Sequence, residues 1–354
     1  MVSRYTLYMG PKIPATLQDA IKHYAIPANC LEYLVWKRWP NGVTCPTCGS
    51  ASVGFLAKQQ RWQCSSRHPQ RQFSIKTGSI FEDSPLGLDK WLPAMWLITN
   101  AKNGISSYEI HRALGVTQKT AWFMLHRIRL SHQGKSGNKF SGQIEADETF
   151  IGGKARNMHR DKHAEKITGT GGKDKTAVMG ILERGGKVIT KVIPNRKKKA
   201  LQAEIREHVL AGSAIFTDSL KSYEGLDEFQ HEVVDHAVEY VNGEAHTNGL
   251  ENFWSLLKRT LGGTSVSVEP FHLFRYLDEQ AFRYNNRLGM NDADRFDLAV
   301  SQIFGKRVMY KELTDKTDVE ETQTHGQTAG SGEAEGFTFR FGPLRFVFAS
   351  TPLR

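Results

Sequence analysis

The sequence predicts an α/β fold in which a mixed sheet with flanking helices, over residues 141–290, follows a small Cys-based ribbon and a helical region. Three patterns carry this expectation. Gln143-Ile-Glu-Ala-Asp147-Glu-Thr-Phe alternates like a half-buried strand, with Ile144 and Ala146 on one side and Glu145, Asp147 and Thr149 on the other. His246–Leu261 repeats Leu250, Phe253, Leu257 and Leu261 at helical spacing, opposite Asn248, Glu251, Ser255 and Lys258. Upstream, Cys45-Pro-Thr-Cys48-Gly is a knuckle in which Pro and Gly shape a tight turn around two thiols.

The ribbon is expected over 41–80, after an N-terminal helical lead-in at 1–40 that carries Leu31, Leu34, Val35 and Trp39 at helical spacing. Arg61-Trp-Gln-Cys64 reads as a strand entering a turn and supplies a third thiol. A second Cys-x-x-Cys is absent, so the fourth ligand is His68 or Cys30. Cys30 lies upstream in apparent helix, which favours the set Cys45, Cys48, Cys64 and His68. Three thiolates and an imidazole suit tetrahedral Zn2+, and four protein ligands leave no open position, so the role is structural.

Residues 86–132 read as several helices. In Ile105–Arg129, Ser106 or Ser107 can cap a helix bearing Ile110 and Leu114. Gly115 ends it, and Thr117 caps a second helix with Ala121, Met124, Leu125 and Ile128 on one face. Helix, short Gly-containing turn, helix is the layout of a DNA-reading helix-turn-helix. Gln118, Lys119 and Thr120 are groove-contacting types at the start of the second helix, and His126, Arg127 and Arg129 could hold phosphates.

Composition agrees with a nucleic-acid partner. The chain has 354 residues, 39% hydrophobic and 24% charged, with a formal net charge of +10. Residues 1–130 hold 16 Lys/Arg against 6 Asp/Glu, which accounts for the whole excess. Such a segment attracts polyanions because neutralising phosphates releases counterions. Four cysteines argue against a disulfide framework and for a reducing compartment. The start carries Lys12 where a secretory segment is apolar, and the apolar stretch Trp91–Ile98 contains Pro93 and is too short to span a bilayer. A cytoplasmic, nucleoid-associated protein with no membrane contact is expected.

Within 141–290, Ala177–Leu182 and Lys187–Ile193 make a hairpin around Glu183-Arg-Gly-Gly186, after a basic, Gly-rich loop at 153–175. Residues 198–210 read as a helix, followed by the strand Ala214-Ile-Phe-Thr-Asp218. Asp147 and Asp218 are thus expected at strand ends, where ligands gather in an open α/β sheet. Glu251 and Lys258 are close to two helical turns apart and face the same way. Three carboxylates suit phosphodiester chemistry, since two divalent ions about 3.5–4 Å apart activate a nucleophile and stabilise a leaving oxygen together. Mg2+, or Mn2+, takes hard oxygen ligands and keeps several waters. Asn248 shares the face of Glu251, so the third residue is one of these two; the better ligand is the carboxylate. Glu148 is read as pointing away from Asp147, and Glu145 as lying deeper in the strand. His236 and His246 flank the site.

EADETFIGGK, IFTDSLKSY, HTNGLENFWSLLKR and YLDEQAFRYNNR, in that order, resemble the zinc-ribbon DDE transposases of bacterial insertion sequences. RWPNGVTCPTCGS and RQFSIKTGSIFEDSPLGLDKW resemble that family's N-terminal domain, so the likeness covers about residues 20–290. It implies a retroviral-integrase-like, RNase H-type catalytic domain, 3′-end cleavage of element DNA by water, and attack of the freed 3′-OH on target DNA. It carries the acidic roles to Asp147, Asp218 and Glu251 and a supporting basic role to Lys258, with Arg259 beside it on DNA. The partners implied are element terminal inverted repeats, target DNA and further copies of the chain in a synaptic complex. The rival readings are a non-catalytic DNA-binding derivative of a transposase, expected to lose an acid, and another RNase H-like nuclease, expected to lack the ribbon and helix-turn-helix. Beyond the likeness lie a helical extension at 291–311, an acidic linker at 312–336 with seven acids against Lys316, and a tail at 337–354 that alternates aromatic and basic residues.

Overall fold

The first ordered helices follow from their caps. A computed structural model describes residues 10–134, 137–152, 175–234 and 246–314. The loop expected at 153–175, except its last residue, lies outside these, as do His236, the tail and residues 315–336 of the acidic segment. Helix α1 (Leu17–Tyr24) starts where Thr16 accepts from the Asp19 amide, and α2 (Pro27–Arg38) starts with Pro in its first turn, where a missing N–H costs nothing. A small antiparallel sheet follows, β1 (Val53–Leu56), β2 (Arg61–Cys64) and β3 (Gln72–Phe73), paired in that order. Then come α3 (Leu88–Asn100), α4 (Ser107–Leu114) and α5 (Gln118–His132). Ser106 and Glu109 form a capping box on α4, Gly115 ends it at φ 63°, and Thr117 caps α5.

The large sheet contains β4 (Gln143–Ile151), β5 (Thr176–Glu183), β6 (Val188–Ile193), β7 (Ala214–Asp218) and β8 (Gln230–Val234), in spatial order β6-β5-β4-β7-β8. The first three strands run antiparallel as a meander, and β7 and β8 join parallel to β4. This is the mixed, RNase H-like α/β arrangement expected. Alternation on β4 decides which helix each side chain meets. Ile144 and Ala146 join Met179, Ile181 and Ile215 beneath α6 (Lys198–His208), through Leu201 and Ile205. The opposite face packs against α7 (Asn248–Thr260) and α8 (Leu273–Asn285), with Leu250, Phe253, Trp254 and Leu257 meeting Val178, Leu182 and Val188. Each such buried side chain contributes roughly 1.5–3 kcal/mol, so the apolar stripe, more than any single polar contact, attaches α7 to the sheet.

Helix α9 (Asp292–Ser301) belongs with the N-terminal helices: Phe296, Ala299 and Val300 share one core with Tyr24, Tyr33, Trp96 and Met124. Phe296 stacks on Tyr33 at 5.9 Å, and the Tyr33 hydroxyl donates to Asp297 at 3.0 Å. Helix α10 (Tyr310–Thr314) takes up the first three residues of the segment expected to be an acidic linker from 312, because Leu313 is buried in that same core.

The inner face of α5 corrects one expectation. The sequence suggests His126, Arg127 and Arg129 for DNA phosphates, yet all three are buried. Arg127 donates to the carbonyls of Ile80 and Glu82 at 3.0 and 2.7 Å. Arg129 donates to Glu279 of α8 at 2.6 Å, and Arg283 binds the same carboxylate. Burial alone would raise Glu279, but Arg283 and Arg129 outweigh it and hold the carboxyl down at about 2. Burial pushes His126 down to about 2, so its ring is neutral where it packs between Trp122 and His272. These cations fasten α5 internally and are not available to DNA. Among the described residues, no helix is long and apolar enough to cross a membrane.

Candidate active site and metal centre

Asp147 sits in the middle of β4, not at its end, because β4 runs on to Ile151 against β5. The strand end that matters is that of β7, whose last residue is Asp218. Pairing of β4 with β7 stops at Glu145 and Phe216; the same register, continued two residues, sets Asp147 beside Asp218 on the α7 face. The two acids therefore lie just past the point where β4–β7 pairing stops, the usual place for a site in such a sheet.

Burial pushes the Asp147 carboxyl up to about 6; a hydrogen bond from Trp254 opposes this, while the charges of Asp218 and Glu251 add to it. Asp147 thus feels Asp218 on the neighbouring strand and Glu251 on the helix. Trp254 Nε1 donates to Asp147 Oδ2 at 2.9 Å. Its ring reaches there by lying against Gly180, the β5 partner of Asp147; a Cβ on Gly180 would stand 2.6 Å from Trp254 Cζ2 and 2.8 Å from Leu250. Neither Trp254 nor Gly180 stands out in the sequence, though Trp254 lies three residues after Glu251 and hence beside it on the helix.

Helix α7 presents Asn248, Glu251, Ser255 and Lys258 as an exposed face, with Arg259 also exposed, and buries Leu250, Phe253, Trp254 and Leu257. Glu251 and Lys258 accordingly share one side, as their spacing implied. Glu148 also feels the acids, although its place on the strand points it to the other face. Burial pushes it up to about 7, the Tyr223 hydroxyl donates to it and lowers it, and the charges of Asp218 and Asp147 raise it. Glu145 is buried between Arg184 and the start of α7, and His246 is held there too, its carbonyl accepting from Arg184 at 2.6 Å.

In the ribbon, ligand atoms of Cys45, Cys48, Cys64 and His68 lie within 4.8 Å of one another. Cys45 Sγ is 3.4 Å from His68 Nε2, and Cys48 Sγ is 3.6 Å from Cys64 Sγ. Burial would raise the Cys64 thiol, but hydrogen bonds from His68, Ser66 and Cys48 bring it down to about 6, toward the thiolate a metal needs. Cys30 lies elsewhere, buried in α2 with its thiol donating to the Tyr24 carbonyl at 3.0 Å. This Cys3His set fits structural zinc. Another such group among the described residues, Glu204, Glu207 and His208 on α6, is bridged by Lys191 at 2.9 and 3.5 Å. The carboxylates of Asp147, Asp218 and Glu251 do not all lie within 4.8 Å of one another.

Of the groove-contacting candidates, Lys119 is exposed, its ammonium 4.7 Å from the Tyr310 ring. Gln118 turns inward and donates to Ser107 at 2.9 Å, and Thr120 shares the cap with Thr117 at 2.8 Å.

Fold and site together define a class: an RNase H-like α/β domain with acids on neighbouring strands, fronted by a Cys3His ribbon and a helical pair. Known proteins narrow it. Residues 139–285 match the ISXO2-like transposase domain, a DDE transposase model, and residues 28–68 match the transposase zinc-ribbon domain. An uncharacterized protein in transposable element ISH50 of Halobacterium salinarum is 30% identical over 284 residues, covering 74% of this chain and 94% of that one. An uncharacterized transposase-like protein of Haemophilus influenzae is 38% identical over 103 residues, 28% of this chain and 82% of that one. The chain belongs to the ISXO2-like transposase family.

Proposed function

We propose that the chain is a DDE transposase that cleaves the 3′ ends of insertion-sequence DNA and joins the freed 3′-OH to target DNA, in a divalent-metal-dependent reaction. The observation that carries this is the placement of Asp147 and Asp218 on neighbouring strands in one register, with Glu251 on the exposed face of the helix that packs over them and its charge acting on Asp147. Their donors are hard carboxylate oxygens, and they fit Mg2+ or Mn2+; burial, with the charges of Asp218 and Glu251 added, holds Asp147 above its ordinary range. Two such ions would activate the attacking oxygen and stabilise the leaving one. Asp147 is oriented by Trp254, Glu251 projects from the exposed face of α7, and Lys258 on that face holds a substrate phosphate. Asn248 is the alternative third residue.

Structural zinc at Cys45, Cys48, Cys64 and His68 shapes the ribbon. Lys119 leads the DNA contacts of the helical pair, with Gln118 and Thr120 fixing the start of α5, and Arg259 adds charge beside Lys258. The DNA bound is the element's terminal inverted repeats and the target, handled by a homo-oligomer in the cytoplasm. The partition into lead-in, ribbon, helix-turn-helix, catalytic domain and extension is proposed with it. Survival of all three acids favours this reading over a non-catalytic derivative, and the ribbon favours it over another RNase H-like nuclease.

The test is joining of element-end DNA to target DNA by the full chain with and without Mg2+ or Mn2+. Metal-dependent joined product is expected; DNA binding without product at any metal concentration would favour the non-catalytic reading.

A further inference from the structure

Helix α7 begins without a capping hydrogen bond from the side chain of Thr247, its N-cap residue. The amide that such a cap often satisfies, that of Leu250 at the third helical position, donates instead to Glu145 Oε2 at 3.0 Å, from a residue 105 positions earlier in the chain. Glu145 is 1% exposed, so its charge must be compensated inside the protein. Arg184 does this from the β5–β6 turn, with Nε 3.0 Å from Glu145 Oε1 and its guanidinium 4.1 Å from the Phe216 ring. His246 Nδ1 stands 3.4 Å from the same oxygen. The close approach requires Gly249: a Cβ there would stand 2.8 Å from Glu145 Oε2 and collide with Leu182.

We propose that Glu145, clamped by Arg184, is a positioning residue for the acidic site: it pins the first turn of α7 to the strand that carries Asp147, and so sets where Glu251 stands relative to Asp147. This rests on the reading of Asp147, Asp218 and Glu251 as metal ligands. The apolar stripe of α7 holds the helix on the sheet, but hydrophobic contact is non-directional and tolerates small slides and rotations. A charge-assisted hydrogen bond to one amide of the first turn does not. Glu145 and Asp147 lie on the same face of β4, two residues apart, and Leu250 directly precedes Glu251, so the hydrogen bond links the strand next to one acid with the helix next to the other. An anion at this helix end is also favoured by the helix dipole. Glu145 itself ligates nothing; it acts through the placement of Glu251.

The experiment is Mn2+ binding by titration calorimetry, together with the Mn2+ dependence of joining, on the full zinc-loaded chain. Wild type, Glu145→Gln, Glu145→Ala, Arg184→Met and Asp147→Asn are compared. Glu145→Ala and Arg184→Met are expected to weaken Mn2+ binding about 10–100-fold, the range typical of outer-shell partners, with joining partly restored at high Mn2+. Glu145→Gln, which keeps an oxygen for the Leu250 amide, falls between them and wild type. Zinc content and DNA affinity stay unchanged throughout. Mn2+ affinity within about twofold of wild type in Glu145→Ala and Arg184→Met, with binding lost in Asp147→Asn, overturns the proposal. Should Glu145→Ala not fold, unchanged affinity in both Glu145→Gln and Arg184→Met overturns it equally. Unchanged binding in Asp147→Asn overturns the acid assignment instead, and the positioning role with it.

Discussion

Replacing Asp147 by Asn should make the metal-free protein more stable, and the gain should depend on pH. Burial, with the charges of Asp218 and Glu251, holds the Asp147 carboxyl up at about 6 despite the bond from Trp254. An unfolded aspartate titrates near about 3.9, so the folded state binds this proton more tightly and loses stability as pH rises from about 4 to about 6. The sign is that of a raised acid: no penalty below the unfolded value, the full penalty above the folded one. The gap corresponds to roughly 3 kcal/mol. The amide introduced by Asp147→Asn would carry no charge at any pH and could still accept from Trp254, but partial exposure screens the effect, so a gain of about 1–3 kcal/mol at pH 7.5 is expected. Urea unfolding in buffer without added Mg2+ or Mn2+ measures it, and at pH 5 the gain should fall to about half. An Asp147→Asn protein no more stable than wild type at pH 7.5, or a gain equal at both pH values, would refute the reasoning.

Three other outcomes follow from the same geometry. Cys64→Ser and His68→Ala should each reduce bound zinc from about one ion per chain to a small fraction by metal analysis, whereas Cys30→Ser should not. Arg129→Met removes the α5 partner of buried Glu279 but leaves Arg283 on it, and should cost about 1.5–3 kcal/mol in urea unfolding. Lys119→Ala should change stability by less than about 0.5 kcal/mol, but lower the slope of log affinity for DNA against log salt by about 1.

Much of the site is legible in the sequence because it depends on local periodicity. A period of two places Glu145 and Asp147 on one face of β4, and helical spacing places Glu251 with Lys258 and opposite Leu250 and Phe253, as the burial of these residues shows. The caps at Ser106 and Thr117 and the stop at Gly115 are legible for the same reason, since each is settled within a few residues. The cysteine knuckle is equally local, and His68 does come to Cys45.

What the sequence hides depends on distant partners. Arg129 looks like any surface cation until Glu279, 150 residues away, is placed against it. Glu148 faces away from Asp147 along the strand, yet it is held by Tyr223, 75 residues on, and feels the charges of Asp218 and Asp147. Glu145 reads locally as a deeper, competing acid, because nothing nearby in the chain tells that its acceptor oxygen meets the amide of Leu250.

The catalytic role of the three acids is tested most directly by joining of labelled element-end DNA to target DNA in Mg2+, run side by side for wild type, Asp147→Ala, Asp218→Ala, Glu251→Ala and Asn248→Ala. Joined product is predicted from wild type, none from the three acid variants although each still binds the DNA, and residual product from Asn248→Ala. Wild-type joining by any one of the three acid variants would contradict that role.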